Sequence, residues 1–202
     1  MPKTVFLFSI FALATMVSSA TADMAALQFC ILPQQSPTEL AKRWTPVLQY
    51  LSQAAEMELH LKTAKDITTY QQTVMDGQCD IAYLSPNSYV AASKAGGYLA
   101  FAKEKGGKSF ALLVARKGGP ITKLSQLKGH TLAFASKTAF MATILPVMHL
   151  QDEKINFSTQ YIISIDSVYR AVARGLFAAG GAEARTFGAL EPEIRDQLTV
   201  LW

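Results

Sequence analysis

The sequence predicts an α/β protein of two lobes, each a mostly parallel sheet flanked by helices. Short apolar runs of strand length alternate with segments of helical periodicity along the 202-residue chain, and this alternation is typical of parallel sheets. Half of the residues (50%) are hydrophobic, which is enough for a sizeable core. A Gly/Pro-rich break at Lys117–Pro120 separates two similar runs of alternation, and such breaks mark crossings between lobes.

The N-terminus has the features of a secretory signal peptide. Lys3 provides a positive n-region, residues 5–17 form an apolar h-region, and Ala20–Ala22 fit a small-x-small cleavage site. The apolar run is shorter than the roughly 20 residues that a transmembrane helix needs. We therefore predict a signal peptide over residues 1–22 and a periplasmic mature chain that begins at Asp23, with an uncleaved membrane anchor as the alternative.

The predicted first lobe covers residues 23–116 and alternates strands with capped helices. A serine, Ser36, precedes Pro37 and lies three residues before Glu39, which is a capping box with proline at the first helical position. The predicted strands are 27–32, 57–63, 79–84, 99–103 and 109–116, and the predicted helices begin after Ser36, Asp66 and Ser85.

The centre of this lobe is the stretch Asp76–Tyr89. Gly77 has the position of a helix C′ glycine, residues 79–84 form an apolar strand, and Ser85 with Pro86 forms a helix start. A helix N-terminus at the carboxyl end of a parallel strand is the place where open α/β sheets bind ligands.

The predicted second lobe covers residues 117–202 and repeats the pattern. Its strands are expected at 131–135, 160–164, 177–181 and 199–202, with helices after Ser136 and from Asp166, and a partly helical segment over 186–198. Pro146 lies inside the first of these helices and should kink it. Because the chain stops on the apolar strand 199–202, we expect a truncated sequence whose first lobe lacks a C-terminal return.

Composition and motifs favour binding over catalysis. The formal net charge is +4 without a Lys/Arg run, which favours small anionic ligands over a nucleic-acid surface. The histidines His60, His130 and His149 are scattered through the chain, and no nucleophile, metal-binding or phosphate-loop motif occurs. We therefore predict that the protein is not an enzyme and needs no metal or organic cofactor.

The two cysteines, Cys30 and Cys79, both lie in predicted strands. Export permits a disulfide between them, but buried strand cysteines commonly serve as plain small hydrophobic residues. We favour two unpaired cysteines, and whether Cys30 and Cys79 form a disulfide stays an open question at this point.

Four polar residues each follow a predicted strand and begin a predicted helix. They are Ser36, Ser85, Ser136 and Asp166, two in each lobe. Each one alone can be an ordinary helix cap. Because strand carboxyl ends in open α/β sheets surround one crevice, the four helix N-termini together predict a site for a small anion or polar solute between the lobes.

Four segments that occur in order carry a resemblance to a known family. They are Phe29–Pro37, Gly77–Tyr89, Leu124–Gly129 and Asp166–Gly175. The chain resembles the periplasmic substrate-binding proteins of phosphate/phosphite/phosphonate ABC transporters, which have the type II periplasmic-binding-protein fold. The resemblance implies capture of a small phosphonate- or phosphate-like solute between two lobes for delivery to an ABC permease. Because the family's chains continue beyond this point, it also supports the truncation.

The positions at the strand ends give the expected ligand contacts, which are Gln34, Ser85, Asn87, Tyr89, Lys137, Thr138, Asp166 and Ser167. Phosphonate binders of the family place a cluster of hydroxyl groups after the strand that corresponds to 131–135, whereas apolar residues occupy Ala139–Met141 here. Ile165 stands where family members tend to have histidine. The positive charge of Lys137 can compensate for these missing polar contacts to an oxyanion, or Lys137 can be an ordinary solvated lysine.

Two alternatives to transport remain at this stage. The protein can present its ligand to a membrane receptor or histidine kinase, because the chemistry of the cleft would be the same. It can also be a degenerate fragment without transport activity. In every case a monomer is expected, with a small molecule and no nucleic acid as its ligand.

Overall fold

Residues 25–202 are described by a computed structural model, and the predicted signal peptide lies outside the described residues. The strands are β1 (Leu27–Ile31), β2 (Leu59–Lys62), β3 (Ile81–Tyr83), β4 (Ala111–Arg116), β5 (Thr131–Phe134), β6 (Ser158–Tyr161), β7 (Ala179–Glu183) and β8 (Leu198–Val200). The α-helices are α1 (Pro37–Ala55), α2 (Ile67–Met75), α3 (Pro86–Gly96), α4 (Leu145–Asp152), α5 (Ile165–Ala173), α6 (Ala184–Gly188) and α7 (Pro192–Arg195). A 3₁₀-helix at Leu124–Leu127 and a π-helix at Phe140–Ile144 complete the elements.

The strands form two sheets. The first has the order β2-β1-β3 and is wholly parallel. The second has the order β6-β5-β7-β4-β8, in which β6, β5 and β7 are parallel and β4 runs antiparallel to both of its neighbours. The predicted alternation of strands and helices is therefore confirmed, while the second sheet is mixed rather than mostly parallel. We call β1–β3 with α1–α3 the first lobe, and β4–β8 with α4–α7 the second lobe.

The chain passes between the sheets earlier than the sequence predicted. The strand expected at 109–116 in the first lobe is β4, which lies in the second sheet because it pairs with β7 and β8. Leu113 and Val114 of this strand are completely buried. The turn at Lys117–Pro120 therefore lies within the second lobe, and the segment that connects the lobes is residues 97–110, between α3 and β4. The strand predicted at 99–103 does not form, since this segment pairs with neither sheet.

A disulfide joins Cys30 of β1 to Cys79, which precedes β3, with their Cα atoms 5.8 Å apart. The preference for unpaired small hydrophobic residues is therefore wrong. The pairing follows from the topology, because β1 and β3 are neighbours in the sheet. Tyr70 of α2 packs beside this bond, and its hydroxyl lies 3.2 Å from the carbonyl of Cys30 and 2.9 Å from that of Tyr83. Burial raises the pKa of Tyr70, which keeps the hydroxyl a hydrogen-bond donor.

Two helix starts in the first lobe form as the sequence predicts. The Ser36 hydroxyl accepts a hydrogen bond from the Glu39 backbone N–H at 3.3 Å, at the N-cap of α1. Asp66 caps α2 in the same way, with its carboxylate 2.7 Å from the backbone nitrogen of Thr69. That hydrogen bond lowers the pKa of Asp66, because it stabilises the charged carboxylate.

The small residues of β7 allow close packing on both faces of the second sheet. A side chain at Gly180 would overlap Val168 of α5, and one at Gly181 would overlap the carbonyl oxygen of Ala142 in the π-helix. The pair of glycines therefore fixes how near the π-helix approaches the sheet.

None of the helices between residues 25 and 202 combines the length and the apolar character needed to cross a membrane.

Candidate functional site

The carboxyl ends of strands from both sheets meet in one cleft. Gln34, which follows β1, donates from Nε2 to Oε2 of Glu183 at the end of β7, at 3.0 Å. The Gln34 carbonyl also accepts a hydrogen bond from the backbone N–H of Asp166 in α5, at 3.4 Å. Because these bonds join the loop after β1 to β7 and α5 of the second lobe, the strand ends surround a common space, as expected for open α/β sheets.

The N-terminus of α3 faces this cleft without a side-chain cap. Ser85 occupies the N-cap position, but its hydroxyl makes no hydrogen bond to the backbone of the first turn. Instead, Ser85 Oγ lies 2.8 Å from both Asn87 Oδ1 and Ser88 Oγ. The first-turn N–H groups of α3 are therefore left for another acceptor, and the positive end of the helix dipole favours an anion there.

The turn after β5 differs from the predicted helix start. Ser136 is not an N-cap, because the following helix is the π-helix that begins after Ala139. The Ser136 hydroxyl instead accepts from the backbone N–H of Thr138 at 3.3 Å, and a local bond of this kind competes with helix formation. Pro146, predicted to kink a longer helix, lies in the first turn of α4 directly after the π-helix.

Hydroxyl and amide groups of the two lobes contact each other at this turn. Thr138 Oγ1 donates to Gln71 Oε1 at 2.8 Å, and Asn87 Nδ2 donates to the Thr138 carbonyl at 3.3 Å. Ser136 Oγ lies 3.4 Å from Thr68 Oγ1, and Gln71 Nε2 donates to Ser88 Oγ at 3.1 Å. We call these residues the hydroxyl–amide cluster: Thr68, Gln71, Ser85, Asn87, Ser88, Ser136 and Thr138.

The part of this cluster that α2 contributes was not predicted from the sequence. Thr68 and Gln71 are three positions apart, and this spacing places them on one face of the helix. The N-cap at Asp66 marks the start of that helix in the sequence, but neither residue directly follows a strand, which was the pattern that indicated the other members of the site.

The start of α5 also differs from the prediction. Ser164 is the N-cap and accepts from the Ser167 backbone N–H at 3.2 Å, while Asp166 lies inside the first turn. The Asp166 carboxylate accepts from Arg170 Nε at 2.8 Å, and this ion pair raises the pKa of Arg170. Glu191 contacts the same guanidinium at 3.1 Å. The Asp166 side chain is thus engaged with α5, and the Ser167 hydroxyl lies 3.0 Å from that of Ser164.

Lys137 and Tyr89, which were also predicted to contact the ligand, contact other groups of the protein. The Lys137 ammonium lies 5.7 Å from the centroid of the Tyr161 ring, a cation–π arrangement on the second lobe. The Tyr89 hydroxyl accepts from the backbone N–H of Ala100 at 3.4 Å, and so contacts the segment that connects the lobes.

A buried acid and an arginine at the end of β7 complete the cleft. Glu183 is only 7% exposed and accepts from Ser109 Oγ at 3.0 Å in addition to Gln34. Arg185 donates to the Tyr83 hydroxyl at 2.6 Å and pairs with Glu104 at 2.7 Å. These bonds connect the second lobe to the first and to the connecting segment. Their signal in the sequence was a glutamate and an arginine at the end of a run of small residues, Ala178–Ala182.

The arrangement can bind an anion through neutral donors. The hydroxyl–amide cluster contains no carboxylate. Its hydroxyl and amide groups bond to one another in this structure, and they can donate to an anion when those bonds are exchanged for bonds to the ligand. Together with the first-turn N–H groups of α3, they resemble the donor set that proteins use for phosphate-like oxyanions.

Comparisons with known proteins identify a family and a fold. A family model described as "ABC transporter, phosphonate, periplasmic substrate-binding protein" matches residues 29–202. The chain is similar to the solved structure of a binding protein component of an ABC phosphonate transporter from Pseudomonas aeruginosa, at 20% identity and a TM-score of 0.76. The match covers 89% of this chain and 65% of that one. The chain therefore spans less than two thirds of the length of the Pseudomonas protein.

Two further solved structures are similar to this chain. One is PhnD1 from Prochlorococcus marinus in complex with methylphosphonate, at 18% identity and a TM-score of 0.77, covering 88% of this chain and 71% of that one. The other is a mutant of arginine-bound ArgBP from T. maritima, at 12% identity and a TM-score of 0.61, covering 87% and 81%. These likenesses confirm the two-lobed α/β fold predicted from the sequence.

Proposed function

Because the chain belongs to the family of periplasmic substrate-binding proteins of phosphonate ABC transporters, we propose that it captures a small phosphonate- or phosphate-like anion between its lobes. The anion is held by the hydroxyl–amide cluster and the N-terminus of α3. Ligand binding stabilises the closed arrangement of the lobes, because only that arrangement brings donors of both lobes to the same anion. The closed protein then delivers the anion to an ABC permease.

The observation that carries this proposal is the uncapped start of α3 opposite Thr138. Ser85 leaves the first-turn N–H groups of α3 without a side-chain acceptor, and Asn87 connects that turn to the carbonyl of Thr138 on the other lobe. An oxyanion at this place can accept bonds from both lobes at once. The methylphosphonate complex of PhnD1 gives the chemical class that we test first.

We expect Thr138→Val to weaken the binding of methylphosphonate by about 10- to 100-fold, because a hydrogen bond to a charged group contributes about 1.5–3 kcal/mol. The measurement is isothermal titration calorimetry with methylphosphonate, phosphite and phosphate. The matched control is Thr131→Val, at the opposite end of the same β5 segment, where the side chain is exposed.

Equal affinities of the Thr138→Val variant and the unchanged protein would place the anion elsewhere. The absence of heat from every one of the three anions would contradict the proposed function itself. The control variant should retain its affinity within twofold, since Thr131 lies outside the hydroxyl–amide cluster.

We further propose that the chain is exported through its N-terminal signal peptide and works with a permease as a monomer. The family is periplasmic, and the sequence of residues 1–22 has the n-region, h-region and cleavage site of a secretory signal. The mass of the protein recovered from the periplasm should correspond to a chain that begins at Asp23. A mass that includes residues 1–22 would contradict cleavage after Ala22.

A further inference from the structure

The segment that connects the lobes carries an exposed apolar surface. This connecting segment, residues 97–110, contains neither helix nor strand, and nearly all of it is exposed. Leu99 and Phe101 are 85% and 81% exposed, and Phe110 is 59% exposed. Large apolar side chains that gather in one exposed stretch are typical of a surface that contacts a partner.

Bonds to the second lobe hold the two halves of the connecting segment side by side. The Glu104 carboxylate pairs with Arg185 at 2.7 Å, and the Phe110 carbonyl accepts a hydrogen bond from the backbone N–H of Ala184 at 2.9 Å. A side chain at Gly107 would overlap the Glu104 carboxylate. Because Ala184 and Arg185 are consecutive, the apolar residues of both halves lie on the same part of the protein surface.

The connecting segment is also basic. It contains three lysines, Lys103, Lys105 and Lys108, and one acidic residue, Glu104. The charge of Glu104 is offset by its ion pair with Arg185. In the part of the chain that the structure describes, no ion pair includes any of the three lysines. Their ammonium groups are therefore available to an anionic partner outside the protein.

Exposed apolar side chains next to lysines suit the surface of an anionic bilayer. At such a surface the apolar side chains enter the boundary between headgroups and acyl chains, and the lysines contact the anionic headgroups. A second copy of the chain suits this surface less well. A symmetric dimer places the same patch of both subunits in contact, so that the lysines of one copy would face those of the other.

We propose that the connecting segment docks on an anionic phospholipid bilayer, with Leu99 and Phe101 in the interface and the three lysines on the headgroups. The attachment is peripheral and holds the protein beside the membrane. This inference goes beyond the capture of an anion, because docking of the connecting segment needs no ligand in the cleft.

The test is cosedimentation of the mature chain that begins at Asp23 with vesicles of phosphatidylglycerol and phosphatidylcholine. The mature chain is used because the apolar residues 5–17 would bind vesicles by themselves. We expect binding to these vesicles, little binding to vesicles of phosphatidylcholine alone, and loss of binding at high salt, which screens exposed charges.

A first variant removes the charge of the connecting segment: Lys103→Gln, Lys105→Gln and Lys108→Gln. Its affinity for the anionic vesicles should fall by about fivefold for each lysine. The matched control removes the same charge from three exposed positions of the second lobe: Lys117→Gln, Lys128→Gln and Lys154→Gln. This control should bind far more tightly than the first variant, because its lysines lie outside the docking surface.

A second variant, Leu99→Ala/Phe101→Ala, removes the apolar contact and should weaken binding by about tenfold or more. Its matched control is Val47→Ala/Tyr50→Ala, which removes an exposed aliphatic and an exposed aromatic side chain from α1. All of these side chains are exposed, so the variants should keep the urea unfolding midpoint of the unchanged protein.

Absence of binding to the anionic vesicles would overturn the proposal. Equal affinities of the connecting-segment variants and their controls would also overturn it, because the vesicles would then contact another surface. A dimer in gel filtration that Leu99→Ala/Phe101→Ala dissociates, without vesicle binding, would show that a second copy covers the connecting segment instead.

Discussion

Removal of the Cys30–Cys79 disulfide is expected to lower the free energy of unfolding by about 2–4 kcal/mol. The bond closes a loop with a sequence separation of 49 residues, and the unfolded chain gains conformational freedom when this loop opens. The loop contains α1, β2, α2 and their connections, so a large part of the first lobe gains that freedom at once. In a lobe with a three-stranded sheet, a loss of this size is a large fraction of a typical total of about 5–15 kcal/mol.

The measurement is urea unfolding of the Cys30→Ala/Cys79→Ala variant and of the unchanged protein, followed by far-UV circular dichroism. Alanine is preferred to serine because both positions are buried, at 1% and 5% exposure, and a buried hydroxyl without a partner adds a cost of its own. Reduction of the unchanged protein with dithiothreitol should give a similar loss. The double variant, which has no disulfide, provides the control and should not respond to the reductant.

Identical unfolding midpoints for the oxidised and reduced protein would contradict this expectation. They would show that the two thiols remain close in the unfolded chain, or that the bond does not form in the protein.

The cysteine pair also illustrates which features the sequence could indicate. The strand lengths and the alternation with helices could be predicted from the sequence, because they depend on local apolar periodicity. The adjacency of Cys30 and Cys79 was not, because it depends on β3 pairing with β1 rather than with β2. Strand order is a property of the folded sheet, and no local pattern near either cysteine encodes it.

The same distinction applies to the boundary between the lobes. The glycine- and proline-rich turn at Lys117–Pro120 was a strong local signal, but local signals mark turns and not the sheet to which the flanking strands belong. β4 lies in the second sheet because its partners β7 and β8 come much later in the chain. The segment around Leu99 and Phe101 has the composition of a strand but pairs with no strand of either sheet. These two side chains are 85% and 81% exposed.

The candidate site was predictable in its location and less so in its members. Helix starts at strand ends indicated Gln34, Ser85, Asn87 and Thr138, which the fold brings to one cleft, and their contact with a ligand stays a prediction. Asp166 was misassigned because Ser164 and Asp166 are both good capping residues, and only the hydrogen bond from Ser167 distinguishes them. Glu183 and Arg185 were missed because their partners come from residues 74 or more positions away.

Replacing Gly181 by alanine is expected to destabilise the protein by about 3 kcal/mol, at the upper end of the usual cost of overpacking. The added methyl group would overlap the carbonyl oxygen of Ala142 and the ring of Phe134. Neither can move easily, because the first is backbone of the π-helix and the second is a fully buried side chain. Relief of the overlap requires the π-helix to move away from β7.

A displaced π-helix should also affect the site, because it follows the turn that holds Ser136 and Thr138. We therefore expect Gly181→Ala to weaken methylphosphonate binding in addition to lowering the urea midpoint. The matched control is Gly188→Ala, where an added methyl group meets no atom within 4 Å and the change should be within about 1 kcal/mol. Equal unfolding midpoints for the two variants would show that the π-helix does not pack on β7 this closely. A lower midpoint with unchanged affinity would show that the Thr138 turn holds its position independently of the π-helix.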